Sequence, residues 1–163
     1  MSYFPDLTPY SYFARWEPDD VRTLNVGWLG QDHQYEKGQT PDEFKNRLFS
    51  YCLDQNVVLL ARGFHECEFC NFSPQEWFER CNDRYGPGRH WMSIGVGEIR
   101  IPAPNWVFAA PMLINHYVID HSYRPPESFI EAVLAAPDPS SAEYQTFLSK
   151  WRRFRTPLGV ACL

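Results

Sequence analysis

Cys67-Glu68-Phe69-Cys70 puts two thiols three positions apart, and His116-Tyr117-Val118-Ile119-Asp120-His121 puts two imidazoles five apart. Thiolate and imidazole are donors that tetrahedral zinc accepts. A Cys-x2-Cys turn followed by a His-x3 to x5-His pair offers two ligands from a tight loop and two from one helix. The pattern predicts one closed, structural Zn2+ site made by Cys67, Cys70, His116 and His121. Two features depart from the commonest arrangement. Forty-five residues separate Cys70 from His116, so the intervening chain must fold back to unite the pairs. His121 also lies farther round a helix from His116 than an i, i+4 partner does, which requires the last turn to tighten or unwind. His65, two residues before Cys67, is the substitute fourth ligand. In the competing reading the thiols are buried apolar groups and the histidines cap or line a core.

A zinc bound by Cys, Cys and His beside a glutamate is also the composition of a nucleobase deaminase, with Glu66 or Glu98 as base. The order here is wrong for one, since His65-Glu66 abuts the cysteines and no proline precedes Cys67. Glu98 and Arg100, on one strand face, read instead as a surface ion pair or a structural hydrogen-bonding pair. There is no Gly-x-Ser-x-Gly elbow, and Gly86-Pro87-Gly88 lacks the Lys and Ser or Thr of a phosphate loop. Lys150-Trp151-Arg152-Arg153-Phe154-Arg155 interleaves cations with aromatics, as single-strand binders do. Its plainer reading is the last turn of a helix, where cations complement the dipole and Trp151 and Phe154 continue an apolar face.

The elements that must position these groups follow from periodicity and end signals. Residues 1–22 carry Pro5, Pro9 and Pro18 among aromatics and read as irregular chain packed on the domain. Leu24, Val26 and Trp28 alternate within Thr23–Leu29, a half-buried strand. Thr40-Pro41-Asp42-Glu43 forms a capping box for a helix bearing Phe44, Leu48, Tyr51 and Cys52 and ending at Asn56. Val57–Leu60 is an apolar run of strand length leading to Arg62, Gly63, Phe64 and the cysteines. Ser73-Pro74-Gln75-Glu76 starts a second helix with Trp77 and Phe78. Met92 to Ile101 alternates with a phase change at Gly97, a bulged strand, and Pro102–Asn105 turns it into a strand over Trp106–Ala109. Helices are then expected over Pro111–His121, with Met112, Leu113 and His116 inward, and over Pro126–Ala135, with Phe129, Ile130, Val133 and Leu134 buried. The last is expected from Ser141 to about 155, with Tyr144, Phe147, Leu148 and Trp151. With no repeat and no linker, residues 1–163 read as a single α+β domain: a small antiparallel sheet or hairpin and four to five helices around the zinc.

A chain of 163 residues with 44% hydrophobic and 21% charged residues has enough material for one substantial core. The net charge of −5 repels a phosphate backbone, so nucleic acid is not an expected partner. No run approaches the ~20 apolar residues of a membrane span, and residues 1–30 show no cationic start before an apolar stretch. Five irregularly spaced cysteines (52, 67, 70, 81 and 162) suit a reducing compartment better than a disulfide framework. The expectation is a cytoplasmic protein.

Tyr3-Phe4-Pro5-Asp6-Leu7-Thr8-Pro9-Tyr10, Leu24-Asn25-Val26-Gly27-Trp28-Leu29, Arg62-Gly63-Phe64-His65, Glu98-Ile99-Arg100, and Ala109-Ala110-Pro111 through Pro125-Pro126 are the motifs that stand out. Together they make most of residues 3–135 resemble an uncharacterised bacterial family of small cytosolic proteins. No activity comes with that family. The resemblance implies that His116-Tyr117 and His121-x-Tyr123-x-Pro125-Pro126 matter, and that residues 71–89 and the last helix are particular to this member. The expected function is a non-enzymatic, zinc-stabilised protein-interaction domain whose partner is another protein, for example the immunity or antitoxin partner of a bacterial toxin. The alternatives are a zinc-dependent hydrolase or deaminase-like enzyme, and a nucleic-acid-binding zinc protein.

Overall fold

The computed structural model describes residues 2–59, 67–70, 74–85 and 97–152. His65 and Glu66, the Ser73 cap, the Gly86-Pro87-Gly88 turn, the strand expected from Met92 to Val96, and Arg153 to Arg155 lie outside the described residues. Among those described, three strands and five helices form one α+β arrangement: β1 (Thr23–Asn25), α1 (Asp42–Tyr51), α2 (Pro74–Tyr85), β2 (Glu98–Pro102), β3 (Val107–Pro111), α3 (Ile114–Asp120), α4 (Glu127–Ala135) and α5 (Ala142–Arg152).

The sheet has the order β1-β3-β2. β2 and β3 are the expected hairpin, antiparallel with Arg100 opposite Ala109, while β1 joins β3 in parallel with Leu24 opposite Phe108. The sheet is therefore mixed, because the crossover from β1 to β3 carries α1, α2 and the cysteine loop and returns the chain in the same direction. β1 is shorter than its apolar run. Residues 23–30 are all buried, so the alternation of Leu24, Val26 and Trp28 does not mark a solvent-facing side. The cause is the N-terminal segment, which lies antiparallel along β1. Leu7 N–H donates to Asn25 O, Asn25 N–H to Thr8 O and Tyr10 N–H to Thr23 O. Its aromatics Phe4, Tyr10, Tyr12 and Phe13 form a second, smaller core with Trp28 and Ala109.

Several element ends differ from expectation for local reasons. Pro41, not Thr40, occupies the N-cap of α1, no side chain caps it, and Thr40 is instead buried. α1 stops at Tyr51, and a separate 3-10 turn spans Asp54–Asn56. Of the run Val57–Leu60, Val58 makes a single antiparallel bridge to Glu98. Pro111 belongs to β3, which pairs as far as Glu98, so the helix expected from Pro111 begins three residues later at Ile114. Leu134 and Phe147 are only partly buried.

The main core lies between the sheet and the helices, with Phe44, Leu48 and Tyr51 of α1 facing Phe129 and Val133 of α4 and Tyr144 of α5. Phe129 sits edge-on to both Phe44 and Phe108. Such T-shaped pairs add roughly 0.5–1.5 kcal/mol each beyond the area they bury. Arg47 ties α1 to the end of α4 by donating to Val133 O and Ala136 O. No helix among the described residues is long and apolar enough to cross a membrane.

Candidate metal centre

Cys67 and Cys70 stand on a tight turn closed by Cys70 N–H donating to Cys67 O. The amides of Phe69 and Cys70 also point at the Cys67 sulfur. The turn is held from its flank, since Phe69 packs edge-on against Tyr35 and Tyr117 and lies 5.3 Å from the His121 ring. Glu68 accepts the Gln31 amide at 3.3 Å.

Opposite the turn, α3 presents His116, and His121 is its C-cap residue with φ −113° and ψ 7°. His121 has left the helical conformation, and Ser122 follows at φ +54°. That unwinding removes the angular mismatch of an i, i+5 pair and swings the second imidazole onto the side of the first. The His121 carbonyl accepts from Tyr35 Oη. His116 is fixed from behind, its Nδ1 lying 2.8 Å from Asp120 Oδ2 one turn on, which leaves Nε2 directed at the thiols.

The two pairs meet. His121 Nε2 lies 3.2 Å from Cys67 Sγ, 3.3 Å from Cys70 Sγ and 3.1 Å from His116 Nε2, and Cys70 Sγ lies 3.4 Å from His116 Nε2. All four candidate ligand atoms fall within 4.8 Å of one another, close enough to hold one metal ion. Cys67 and His116 are buried, Cys70 and His121 half-buried. Electrostatics suit a cation here. Burial pushes the Cys67 thiol up to about 12, so an ionised sulfur at this position needs a positive charge beside it. Burial and the neighbouring His116 hold His121 below the ordinary imidazole value, keeping a lone pair available.

Glu98 is elsewhere. It is buried on β2, accepts Tyr10 Oη at 2.8 Å on both carboxylate oxygens, and pairs with Arg100 Nη1 at 2.6 Å. Of the two expected readings, a surface ion pair and a structural hydrogen-bonding pair, the first is corrected and the second holds: the pair is buried and hydrogen-bonded. Arg100 is fully buried, and its second nitrogen, Nη2, reaches Glu17 at 2.7 Å. Burial raises Glu98 above the usual carboxylate range while the adjoining guanidinium opposes the rise. Lys150 pairs with Asp20, Trp151 is buried and Arg152 donates to Gln55 O, so these three residues of the basic-aromatic stretch are turned to the protein. Two participants escaped sequence reasoning. Asp120 was legible as the i+4 neighbour of His116 on one helix face, whereas Glu17 lies 83 positions from Arg100 and carries no local signal.

Fold and site together define a small α+β domain with a Cys2His2 cluster arranged to receive a metal ion. The chain belongs to the family described as a domain of unknown function, DUF7919, which its residues 2–134 match. No curated protein and no solved structure matches it.

Proposed function

We propose that Cys67, Cys70, His116 and His121 hold one structural zinc ion and that the domain so stabilised serves as a non-enzymatic protein-interaction module. The observation carrying the metal reading is the convergence of four donors within 4.8 Å from a turn and a helix end far apart in sequence. Zinc with Zn–S near 2.3 Å and Zn–N near 2.0–2.1 Å sets tetrahedral edges of about 3.3–3.8 Å. The observed nitrogen–sulfur separations of 3.2–3.4 Å lie at and just below the short end of that range, so an ion would spread the four donors by a few tenths of an ångström. Two thiolates and two imidazoles favour zinc over hard cations such as magnesium or calcium, which take oxygen ligands. Asp120 behind His116 is the carboxylate–histidine support that zinc sites commonly use.

Four protein ligands close the coordination sphere and leave no position for a water or substrate, which favours a structural over a hydrolytic metal. Glu98, one of the two bases a deaminase-like reading could use, is committed to Arg100 and Tyr10 instead, while Glu66 lies outside the described residues. The interaction role is supported by the acidic balance of the chain, which complements a basic partner such as a toxin held by its immunity or antitoxin protein. Metal content by mass spectrometry on untagged protein tests the first half. One zinc per chain, lost in Cys67→Ser and in His121→Ala, is the expected result, and metal-free wild-type protein of full stability defeats it. The second half is tested by co-purification from the native host with salt elution. A stoichiometric basic protein is expected, and a chain that elutes alone at low ionic strength speaks against it.

A further inference from the structure

Glu17 sits at the end of a short 3-10 turn, Ala14–Trp16, in the irregular N-terminal segment. The backbone hydrogen bonds around it, Trp16 to Phe13, Glu17 to Ala14 and Val21 to Pro18, are local, so they shape the segment without tying it to the sheet. The Glu17 side chain provides such a tie. Its Oε1 accepts Arg100 Nη2 at 2.7 Å and Trp151 Nε1 at 3.1 Å, and its Oε2 accepts Thr23 Oγ1 at 2.5 Å. Donors from β2, α5 and β1 thus converge on both oxygens of one carboxylate. Arg100 and Trp151 are fully buried, and Thr23 is 8% exposed.

We infer that Thr23, Arg100 and Trp151 form a carboxylate-binding cradle that the chain fills in cis with Glu17, and that the cradle takes a carboxylate from outside when Glu17 is withdrawn. The cradle is organised without Glu17. Arg100 is independently held by Glu98, by stacking over Tyr10 at 4.7 Å, and by the Trp151 ring at 5.6 Å. Tyr10 bridges both oxygens of Glu98, and Tyr144 Oη fixes the Arg100 carbonyl. Arg100 gives Glu17 only one of its donors, and its buried Nε has no hydrogen-bond partner among the described residues, so the guanidinium has capacity beyond what Glu17 uses. A guanidinium, an indole N–H and a hydroxyl around a single anion are the parts of a carboxylate receptor, preorganised so that little ordering cost attends binding. The ligand class is an aliphatic carboxylate, either a small acid or the glutamate side chain of a peptide.

The full-length Glu17→Ala variant opens a space of carboxylate size. Its melting temperature is expected to rise saturably with acetate by about 2–4 °C relative to chloride at equal ionic strength and pH, as a ligand that binds only the folded state requires. Wild type, whose cradle is filled, shows no such difference. Adding Trp151→Phe, which removes one donor and keeps the ring, must weaken the response. An equal effect of chloride, the same shift in wild type, or a response indifferent to Trp151→Phe overturns the inference. If Glu17→Ala does not fold alone, refolding yield in acetate against chloride is read instead, and yields equal in both overturn it as well. A peptide of residues 14–20, with and without the Glu17→Gln substitution, separates the two ligand sources. A larger shift from the unsubstituted peptide than from acetate assigns the cradle to peptide glutamates; equal shifts assign it to the carboxylate alone.

Discussion

Cys67 and Asp120 occupy different tiers of the same centre, and their substitutions have different signatures. With the zinc proposed above, Cys67→Ser removes a ligand from a site whose binding energy is folding energy, so stability is expected to fall by several kcal/mol in chemical denaturation and bound zinc to be lost. Asp120→Asn leaves the four ligands in place but weakens the support of His116 Nδ1. Its expected effect is a drop in zinc affinity of roughly 10–100-fold, read by competition with a chromogenic chelator, with the fold retained. A different tier again is the buried pair on β2. Arg100→Ala strands Glu98 and Glu17 without their cation and is expected to cost about 3–5 kcal/mol by urea denaturation.

Glu98 also sets a pH dependence of definite sign. Burial raises its folded-state value above 4.5, so the native protein holds that proton more tightly than the unfolded chain. The stabilisation is present below pH 4.5 and fades as pH rises through the raised folded value. Glu98→Gln lacks this term. As pH rises from about 4.5 through the raised folded value, the variant is expected to gain on wild type in unfolding free energy, and a constant difference across that rise would refute the assignment.

At the scale of elements, the sharpest constraint is where β1 runs past α3. Gly27 has φ +73°, and a Cβ there would lie 2.8 Å from the Ile114 side chain. Its amide also donates to Asp6 Oδ1, whose Oδ2 accepts Tyr123 Oη, so N-terminal segment, β1 and the chain beyond α3 meet at this glycine. Gly27→Ala combines a disfavoured backbone with a clash and is expected to lose about 1–3 kcal/mol, measurable as a lower denaturation midpoint.

The clustering of Cys67, Cys70, His116 and His121 was legible because metal-site chemistry restricts residue type and spacing together, and helices α4 and α5 were legible because their apolar faces repeat at helical period. What sequence could not supply was pairing. The parallel partnership of β1 with β3 depends on a crossover of more than eighty residues, and nothing local in Thr23–Asn25 distinguishes it from an antiparallel strand. Pro111 looked like a helix start by its residue type, yet strand pairing with Glu98 claims it. The missing Thr40 cap has the same character, since tertiary packing buried the threonine.

At the scale of the whole molecule the Cys2His2 cluster joins a loop from the β1–β3 crossover to the helix that follows β3. Chelation is therefore expected to act regionally. Amide exchange should accelerate first at residues 67–70 and the end of α3, while β2, β3 and α4, held by the aromatic core, stay protected longer. Uniform acceleration throughout would mean that the metal supports the entire fold cooperatively.

The N-terminal segment has a consequence for behaviour in concentrated solution. It pairs with the outer side of β1 through Leu7, Thr8 and Tyr10, while Val58 bridges the outer side of β2 at Glu98. Both margins of this small sheet thus have partners from their own chain. A strand whose margin is unpaired is a template on which other chains add and fibrils nucleate. Residues 4–10 accordingly act as a selvedge that keeps the sheet from being extended, and a chain trimmed of them should form insoluble intermolecular β-structure even where its metal remains bound.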